Sequence, residues 1–135
     1  MFKEIEVKST KRHDWINILD EVKTIVKESD VAEGICVVYN PHTTAGLFVN
    51  SYLDPNTPED ILQEWDRIIP TRYDFNHQFD TPSDASGHVK SAMMGIECAF
   101  IVHKGELVVG HSQGIVLAEF DGPRDRRVFV KVIKG

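Results

Sequence analysis

The final third of the chain carries four short segments in which apolar and polar residues alternate, and this pattern most constrains the fold. Successive side chains of a strand point to opposite faces of a sheet, so alternation predicts strands with one buried face. Turn residues separate the segments, including Asp121-Gly122-Pro123. The sequence therefore predicts an antiparallel run of strands at 97–102, 107–109, 114–120 and 127–133.

Two longer helices and one short helix are predicted in the first two thirds of the chain. Apolar residues recur at helical spacing over residues 15–26, with Asp14 as the N-cap of the first helix. The second helix is expected to follow Thr57 as its N-cap, with Pro58 at the first helical position, and to end before Pro70. The short helix and the remaining strands of this part are predicted at 87–94, 2–8, 35–39 and 47–50.

This order of elements predicts an α+β fold with a mixed, strongly curved or barrel-like sheet. A chain of 135 residues that is 41% hydrophobic and 27% charged fits one domain, 1–135, with its own core. A formal net charge of -6 argues against a nucleic-acid surface. No apolar run approaches ~20 residues, so no membrane segment is expected. Two strand-like cysteines without a signal peptide favour reduced, buried thiols in a cytoplasmic protein.

The densest group of chemically active side chains is the segment Tyr39-Asn40-Pro41-His42-Thr43-Thr44-Ala45-Gly46, which lies between two apolar segments. An imidazole such as that of His42 acts as a ligand or a proton carrier near neutral pH. His77 lies in the polar segment 71–86, whose length is typical of a functional loop. His88 is expected in the first turn of the short helix. We predict that the fold brings these three histidines together.

Such a site supports three functional interpretations. In the first, the three histidines act with the hydroxyls of Thr43 and Thr44 on a phosphorylated small molecule. In the second, they bind zinc or another transition metal, with a water at the open position and Glu119 or Asp54 as a base. Magnesium that arrives with the substrate is a further candidate cofactor. The third is a binding or regulatory module for a phosphorylated metabolite, without a physiological reaction.

Several polar residues also have purely structural interpretations. Glu119 lies in an alternating segment and faces either the interior or the solvent. The planar fork of Arg124 suits phosphate, although a turn arginine pairs equally well with Asp121 or Asp125. Asp54 is consistent with a turn role. The predicted substrate-binding residues are Thr43, Thr44, Asn50, Lys90, Gln113 and Arg124, whereas His13 and His103 are interpreted as surface or hydrogen-bonded histidines.

Short motifs occur in a fixed order along nearly the whole chain: Asn40-Pro41-His42-Thr43-Thr44-Ala45, Asn50, Asp54-Pro55, His77, His88-Val89-Lys90-Ser91, Gly95, Gly110, Gln113-Gly114-Ile115 and Glu119-Phe120-Asp121-Gly122-Pro123-Arg124. Together they resemble the YjbQ-like family. The resemblance implies an α+β fold around a closed, mixed barrel-like sheet, a homotrimer, and a weak, secondary thiamine-phosphate synthase activity.

The chain departs from the family pattern at one motif. Where the family commonly reads Gly-Thr-Trp-Gln-Gly, this chain has Gly110-His111-Ser112-Gln113-Gly114. If the aromatic ring stacks on a substrate in relatives, its replacement by Ser112 predicts a different substrate preference. His111 becomes an additional candidate for the site.

Overall fold

The computed structural model describes residues 1–78 and 81–135, in which the chain forms eight strands and three helices. This architecture confirms the expected α+β class. In chain order the elements are β1 (Phe2–Lys8), β2 (Asp14–Asn17), α1 (Leu19–Glu28), β3 (Gly34–Tyr39), β4 (Ala45–Ser51), α2 (Asn56–Ile68), α3 (Asp84–Met94), β5 (Glu97–His103), β6 (Glu106–Leu107), β7 (Gln113–Glu119) and β8 (Asp125–Lys134).

The strands form a strongly curled, half-barrel arrangement of two sheets. The larger sheet has the order β1-β8-β3-β5-β6, and the smaller has the order β2-β7-β4. All pairings between the described strands are antiparallel, so the expectation of a mixed sheet is wrong in this respect. Parallel neighbours require a crossover connection within one sheet. Helix α1 instead joins β2 and β3, which lie in different sheets.

Helix α1 packs its apolar face against the inner surface of the curled sheet. Its buried side chains are Leu19, Val22, Ile25 and Val26. They share one core cluster with inward-facing strand residues such as Val38 and Val130, which are fully buried. Burying an aliphatic side chain of this size contributes about 1.5–3 kcal/mol relative to leaving it exposed. This core holds the two sheets together and supports the loops at one end of the half-barrel.

The predicted first helix begins too early. Residues 14–17 form strand β2, and their partners in β7 run from Glu119 to Val116. The helix begins at Leu19, whose backbone N–H donates to the Asn17 Oδ1 at 3.1 Å. Apolar spacing fits a helix through this segment equally well, but the exposed edge of β7 satisfies its backbone groups. The tertiary pairing therefore outweighs the local periodicity.

The other two helices, unlike α1, begin before their predicted starts. Helix α2 begins at Asn56, whose backbone N–H donates to the Asp54 Oδ1 at 2.9 Å, so Asp54 serves the turn. Helix α3 begins at Asp84 and has 11 residues against 10 in α1, so it is not a short helix. Its end at Gly95 is confirmed, and the φ of 103° there suits glycine. The earlier start of α3 moves Asp84 into its first turn.

Both cysteines are free thiols on neighbouring strands of the larger sheet, Cys36 on β3 and Cys98 on β5. Burial raises the pKa of Cys36 to about 11. Burial, followed by the charge of Glu97, raises the pKa of Cys98 to about 11. Both thiols are thus free, as expected, but only Cys36 is buried, whereas Cys98 is half-buried.

We predict that neither Cys36 nor Cys98 reacts readily with a thiol reagent in the native protein. At about pH 8 a free cysteine is substantially ionised, whereas thiols with a raised pKa are not. Native protein is expected to label slowly with a chromogenic disulfide reagent, and urea-unfolded protein is expected to label at both residues. Rapid labelling of the native protein at either thiol would contradict the expected protection.

Candidate metal and phosphate site

Two histidines and one aspartate meet at the beginning of α3. The side chains of His77, Asp84 and His88 each offer a ligand atom, and these atoms lie within 4.8 Å of one another. Asp84 Oδ2 is hydrogen-bonded to His77 Nε2, and Asp84 Oδ1 lies 3.3 Å from His88 Nε2. One carboxylate therefore bridges two imidazoles whose ring centroids are 5.3 Å apart. We refer to these three residues as the His77–Asp84–His88 cluster.

The position of the cluster follows from helix geometry and from one loop. Asp84 and His88 are four residues apart on α3, so they lie one above the other on the same helix face. His77 comes from the segment between α2 and α3. The Asp84 side chain is 6% exposed, whereas those of His77 and His88 are 44% and 41% exposed. The cluster thus has a buried carboxylate at its base and two imidazoles that reach solvent.

The ring of His88 is oriented by the segment that carries His42. Its Nδ1 lies 3.0 Å from the backbone carbonyl oxygen of Thr43. A carbonyl only accepts hydrogen bonds, so Nδ1 carries a proton and Nε2 is the nitrogen directed at the cluster. That Nε2 lies 3.3 Å from Asp84 Oδ1, a distance at which a proton or a cation can join the two atoms. Orientation of a histidine by a backbone carbonyl is the usual arrangement at a metal site.

His42 does not belong to this cluster. Its Nε2 accepts the backbone N–H of Arg127 at 2.9 Å. Burial, followed by the charge of Arg126, lowers the pKa of His42. A ligand role through Nε2 requires the bond to Arg127 to break. Of the three predicted histidines, the structure thus brings together His77 and His88, with His42 in the adjoining loop.

The lowered pKa of His42 predicts a loss of stability in acid. The folded-state pKa of His42 lies below its unfolded value, so neutral His42 contributes its full stability above about pH 6.5. This stability is lost as the pH falls below about 6.5 and through the lowered folded-state pKa. We expect His42→Gln, which keeps an acceptor for Arg127, to reduce the fall in unfolding free energy between about pH 7.5 and about pH 5.5. Each such group contributes less than about 1.4 kcal/mol per pH unit.

Urea unfolding of wild type and His42→Gln at the two pH values measures this effect. Part of the slope is expected to persist in the variant because burial, followed by the charge of Lys90, also lowers the pKa of His13. An identical slope in the two proteins would show that His42 does not contribute.

Asp84 is the functional candidate that sequence reasoning missed. The signal was present in the spacing Asp84-Ala85-Ser86-Gly87-His88, which puts a carboxylate and an imidazole one helical turn apart. It was overlooked because the helix was expected to begin at Gly87, which would leave Asp84 in the preceding loop. Helix boundaries are the least reliable element of such predictions.

Glu119 faces the interior and is fully paired. Its Oε1 accepts from Ser9 Oγ at 2.7 Å and from Arg126 Nε at 2.8 Å. A second guanidinium nitrogen of Arg126 donates to Glu119 Oε2 and, at 2.7 Å, to the hydroxyl of Thr44. Glu119 is completely buried and Arg126 is 7% exposed. The geometry makes this pair a structural link beneath the His42 segment. A general-base role for Glu119 stays a prediction.

Asp121 and Arg124 form a second charged group beside α3. The Arg124 guanidinium donates to Asp121 Oδ2 at 2.8 Å, and its Nε donates to the Asp121 carbonyl at 2.9 Å. Ser83 and Thr81 donate their hydroxyls to Asp121 Oδ1. Burial acts to raise the pKa of Asp121, but these hydrogen bonds outweigh it and hold the pKa below its usual range. Asp121 is thus a buried carboxylate anion with three side-chain donors.

Arg124 is connected to the start of α3 through Asp121, which also accepts from Ser83. The Arg124 side chain is 42% exposed. The hydrogen bond with Asp121 is the main reason that the pKa of Arg124 is raised, and the charge of Asp84 adds to the effect. The planar, charged guanidinium remains a candidate phosphate contact.

The remaining predicted binding residues have local partners away from the cluster. Lys90 is 1% exposed, and its amine donates to Asp66 Oδ1 at 2.9 Å and lies 3.2 Å from His13 Nε2. Asn50 accepts the backbone N–H of Ser51. Gln113 accepts the backbone N–H of Gly110, so it closes a turn. His103 and the replaced motif residues are peripheral: His103 pairs with Glu33, while His111 is exposed and Ser112 is half-buried.

The surface next to the cluster is a shallow depression of about 450 Å³. Its walls include the apolar side chains of Phe75, Ala85 and Val89 as well as the two imidazoles. A small molecule with one apolar face and one polar or charged group fits these surroundings.

None of the helices in residues 1–78 and 81–135 has the length and apolar character to cross a bilayer.

The fold and this site define a class of small α+β proteins with a half-barrel of antiparallel strands and a histidine–aspartate cluster at the start of a helix. A family model described as UPF0047 protein YjbQ-like matches residues 3–135. The chain therefore belongs to the YjbQ-like (UPF0047) family, as its motifs predicted.

Relatives and solved structures agree with this assignment over the full chain. The UPF0047 protein YugU of Bacillus subtilis is 35% identical over 133 residues, which cover 98% of this chain and 99% of YugU. A UPF0047 protein of Methanocaldococcus jannaschii is 38% identical and covers 98% of this chain and 94% of its own length. A crystal structure of an uncharacterized YjbQ/UPF0047 protein from Clostridium acetobutylicum superposes with a TM-score of 0.91 at 40% identity, covering 97% of this chain and 99% of that one.

Proposed function

We propose that this protein is an enzyme that acts on a phosphorylated small molecule at a divalent metal held by His77, Asp84 and His88. The observation that carries the proposal is the approach of two imidazole nitrogens and one carboxylate to within 4.8 Å of one another. Two imidazoles and a carboxylate suit zinc and other transition metals better than magnesium, which prefers oxygen ligands. Three protein ligands leave a coordination position for a substrate oxygen or a water.

The chemistry that we propose is the transfer reaction implied by the family resemblance, formation of thiamine phosphate as a secondary activity. The thiazole nitrogen forms a bond to the methylene carbon of the pyrimidine, and the bond from that carbon to the pyrophosphate oxygen breaks. Pyrophosphate leaves with the bonding electrons. No protein nucleophile is needed, so the site must mainly stabilise the departing negative charge.

The residues of the site supply that stabilisation in different ways. A bound metal would supply positive charge to a phosphate oxygen. Arg124 is the residue that we propose as a second contact to the same anion, because its charge persists at every physiological pH. The Thr43 carbonyl fixes the tautomer of His88. The apolar walls formed by Phe75 and Val89 suit the ring of the substrate.

Metal-dependent hydrolysis of a phosphate ester is the second candidate, because the three-ligand arrangement leaves a position for water. The two candidates differ in what they consume. A hydrolase releases inorganic phosphate from a phosphate ester in the absence of any thiazole, whereas the transferase requires both substrates. A binding module shows saturable binding of the phosphorylated compound with neither product.

The test is metal content together with turnover in matched histidine variants. Protein purified without added metal or chelator is measured by elemental mass spectrometry, and products are followed by liquid chromatography with mass detection. Zinc or another transition metal near one per subunit, lost in His77→Ala and His88→Ala, is expected. His103→Ala is the control, because His103 is an exposed histidine paired with Glu33 outside the cluster. Equal metal and turnover in His88→Ala and wild type would overturn the proposal.

We also propose that the protein assembles as a homotrimer through the outer face of its five-stranded sheet. The second face of an antiparallel sheet is normally polar. Here Ile35 lies opposite both Ile101 and Ile133, and all three are about half exposed or more. Phe2 and Tyr39 extend the same exposed apolar surface. Contiguous apolar surface of this kind is typical of a protein interface.

Replacing Ile101 with aspartate is expected to convert the trimer into monomers. Ile101 is 64% exposed, so the charge disrupts an interface without entering the core. The control is Ile68→Asp on α2, where the side chain is 57% exposed but lies outside the sheet. Sedimentation velocity measures the assembly state. A wild-type monomer at working concentration would contradict the proposal, as would an Ile101→Asp variant that stays trimeric.

A further inference from the structure

Asp121 is a buried charge for which the proposed reaction has no direct use. Its side chain is 1% exposed and lies outside the His77–Asp84–His88 cluster. Burying a carboxylate is costly unless donors surround it, and Asp121 has donors from two different directions. Ser83 and Thr81 approach from the start of α3, and Arg124 approaches from the following turn.

The two groups of donors connect Asp121 to two parts of the site, the His77–Asp84–His88 cluster and Arg124. Ser83 is 1% exposed and immediately precedes Asp84, the aspartate of the cluster. Arg124 is the candidate phosphate contact, and both its Nε and one terminal nitrogen are used by Asp121. A single carboxylate thus holds the beginning of α3 and the guanidinium at fixed positions relative to each other.

We infer that Asp121 is a positioning residue that holds Arg124 in register with the His77–Asp84–His88 cluster, so that one phosphate group contacts both. This inference rests on the proposed function, because it assigns a role to Asp121 in the same site. Asp121 contacts neither metal nor substrate itself. Its two oxygens accept from different donors: Oδ1 accepts from Ser83 and Thr81, and Oδ2 accepts from Arg124.

The division between the two oxygens allows each link to be broken separately. In Asp121→Asn, the amide oxygen still accepts from Ser83, but the NH₂ group faces another donor at Arg124. This variant is expected to weaken binding of inorganic phosphate roughly tenfold, the typical cost of one charged hydrogen bond, and to leave zinc affinity within about twofold. Ser83→Ala keeps the link to Arg124 and is expected to weaken zinc binding more than phosphate binding, because it loosens the start of α3, where Asp84 lies.

The experiment measures zinc affinity by competition with a chromophoric chelator, and phosphate affinity by calorimetry on zinc-loaded and zinc-free protein. Arg124→Gln completes a double-mutant cycle with Asp121→Asn. In the Arg124→Gln background, Asp121→Asn is expected to cause no further loss of phosphate affinity. This readout does not move if Asp121 is only a structural residue. Equal losses of phosphate affinity in both backgrounds would overturn the inference, as would unchanged phosphate affinity in Asp121→Asn.

A second variant covers the case in which Asp121→Asn does not fold. Ser83→Ala removes one donor and leaves the ion pair, and the inference requires it to lower zinc affinity more than phosphate affinity. Loss of both affinities in equal proportion would overturn the inference. Wild-type protein that binds neither zinc nor phosphate contradicts the proposed function instead, so the two failures are distinguishable.

Discussion

Replacing Asp84 with asparagine is expected to lower zinc affinity by more than the roughly 10- to 100-fold that loss of an outer partner of a metal site costs. Asp84 is the only carboxylate of the His77–Asp84–His88 cluster, and each of its oxygens faces one histidine. Asparagine keeps the shape but carries no charge, and its NH₂ group cannot coordinate a cation. Competition with a chromophoric chelator measures the affinity.

Thermal unfolding provides a second measurement that does not depend on activity. A ligand that binds only the folded state at 100 times its Kd stabilises the protein by about 2.7 kcal/mol. Zinc is therefore expected to raise the Tm of wild type and to have little effect on Asp84→Asn. Asp60→Asn is the control, because Asp60 is exposed on α2. Zinc stabilisation of Asp84→Asn equal to that of wild type would show that the metal binds elsewhere.

Replacing Arg126 with methionine is expected to reduce the free energy of unfolding by about 3–5 kcal/mol. Among residues 1–78 and 81–135, Arg126 is the only arginine whose guanidinium is hydrogen-bonded to Glu119, which is completely buried. Methionine has a similar volume and removes the charge, so Glu119 is left as an uncompensated anion in the interior. In a chain of this size the loss corresponds to a fall in Tm of roughly 10 to 20 °C. Urea and thermal unfolding measure both quantities.

The neighbouring residue supplies a matched control. Arg127 pairs with Glu4 at 3.4 Å, and its side chain is 60% exposed. Arg127→Met is expected to cost less than about 1 kcal/mol, as exposed ion pairs do. The double variant Glu119→Gln/Arg126→Met is expected to recover part of the stability, because it leaves no buried charge. Similar losses in Arg126→Met and Arg127→Met would contradict the importance of burial.

The candidate site could be predicted only in part from composition and motifs. His42, His77 and His88 were predicted to converge because all three lie in polar segments, and His77 and His88 do so. Their partner, however, depends on where α3 begins, and local sequence left that boundary open by three residues. The inward direction of Glu119 was similarly open. It depends on the register between β7 and its neighbours, which a single sequence does not reveal.

The sequence by itself determined the α+β class, the positions of most strands, the end of α3 at Gly95 and the family, because alternation, glycine and ordered motifs act locally. Only the tertiary structure decided that residues 14–17 form a strand and that Asp84 joins two histidines. It also placed Asp121 between Arg124 and Ser83. Strand β2 and the link from Asp121 to Ser83 depend on hydrogen-bonding partners distant in sequence, and the role of Asp84 depends on where α3 begins. Burial makes these choices, since an interior polar group must be satisfied wherever the chain brings a partner.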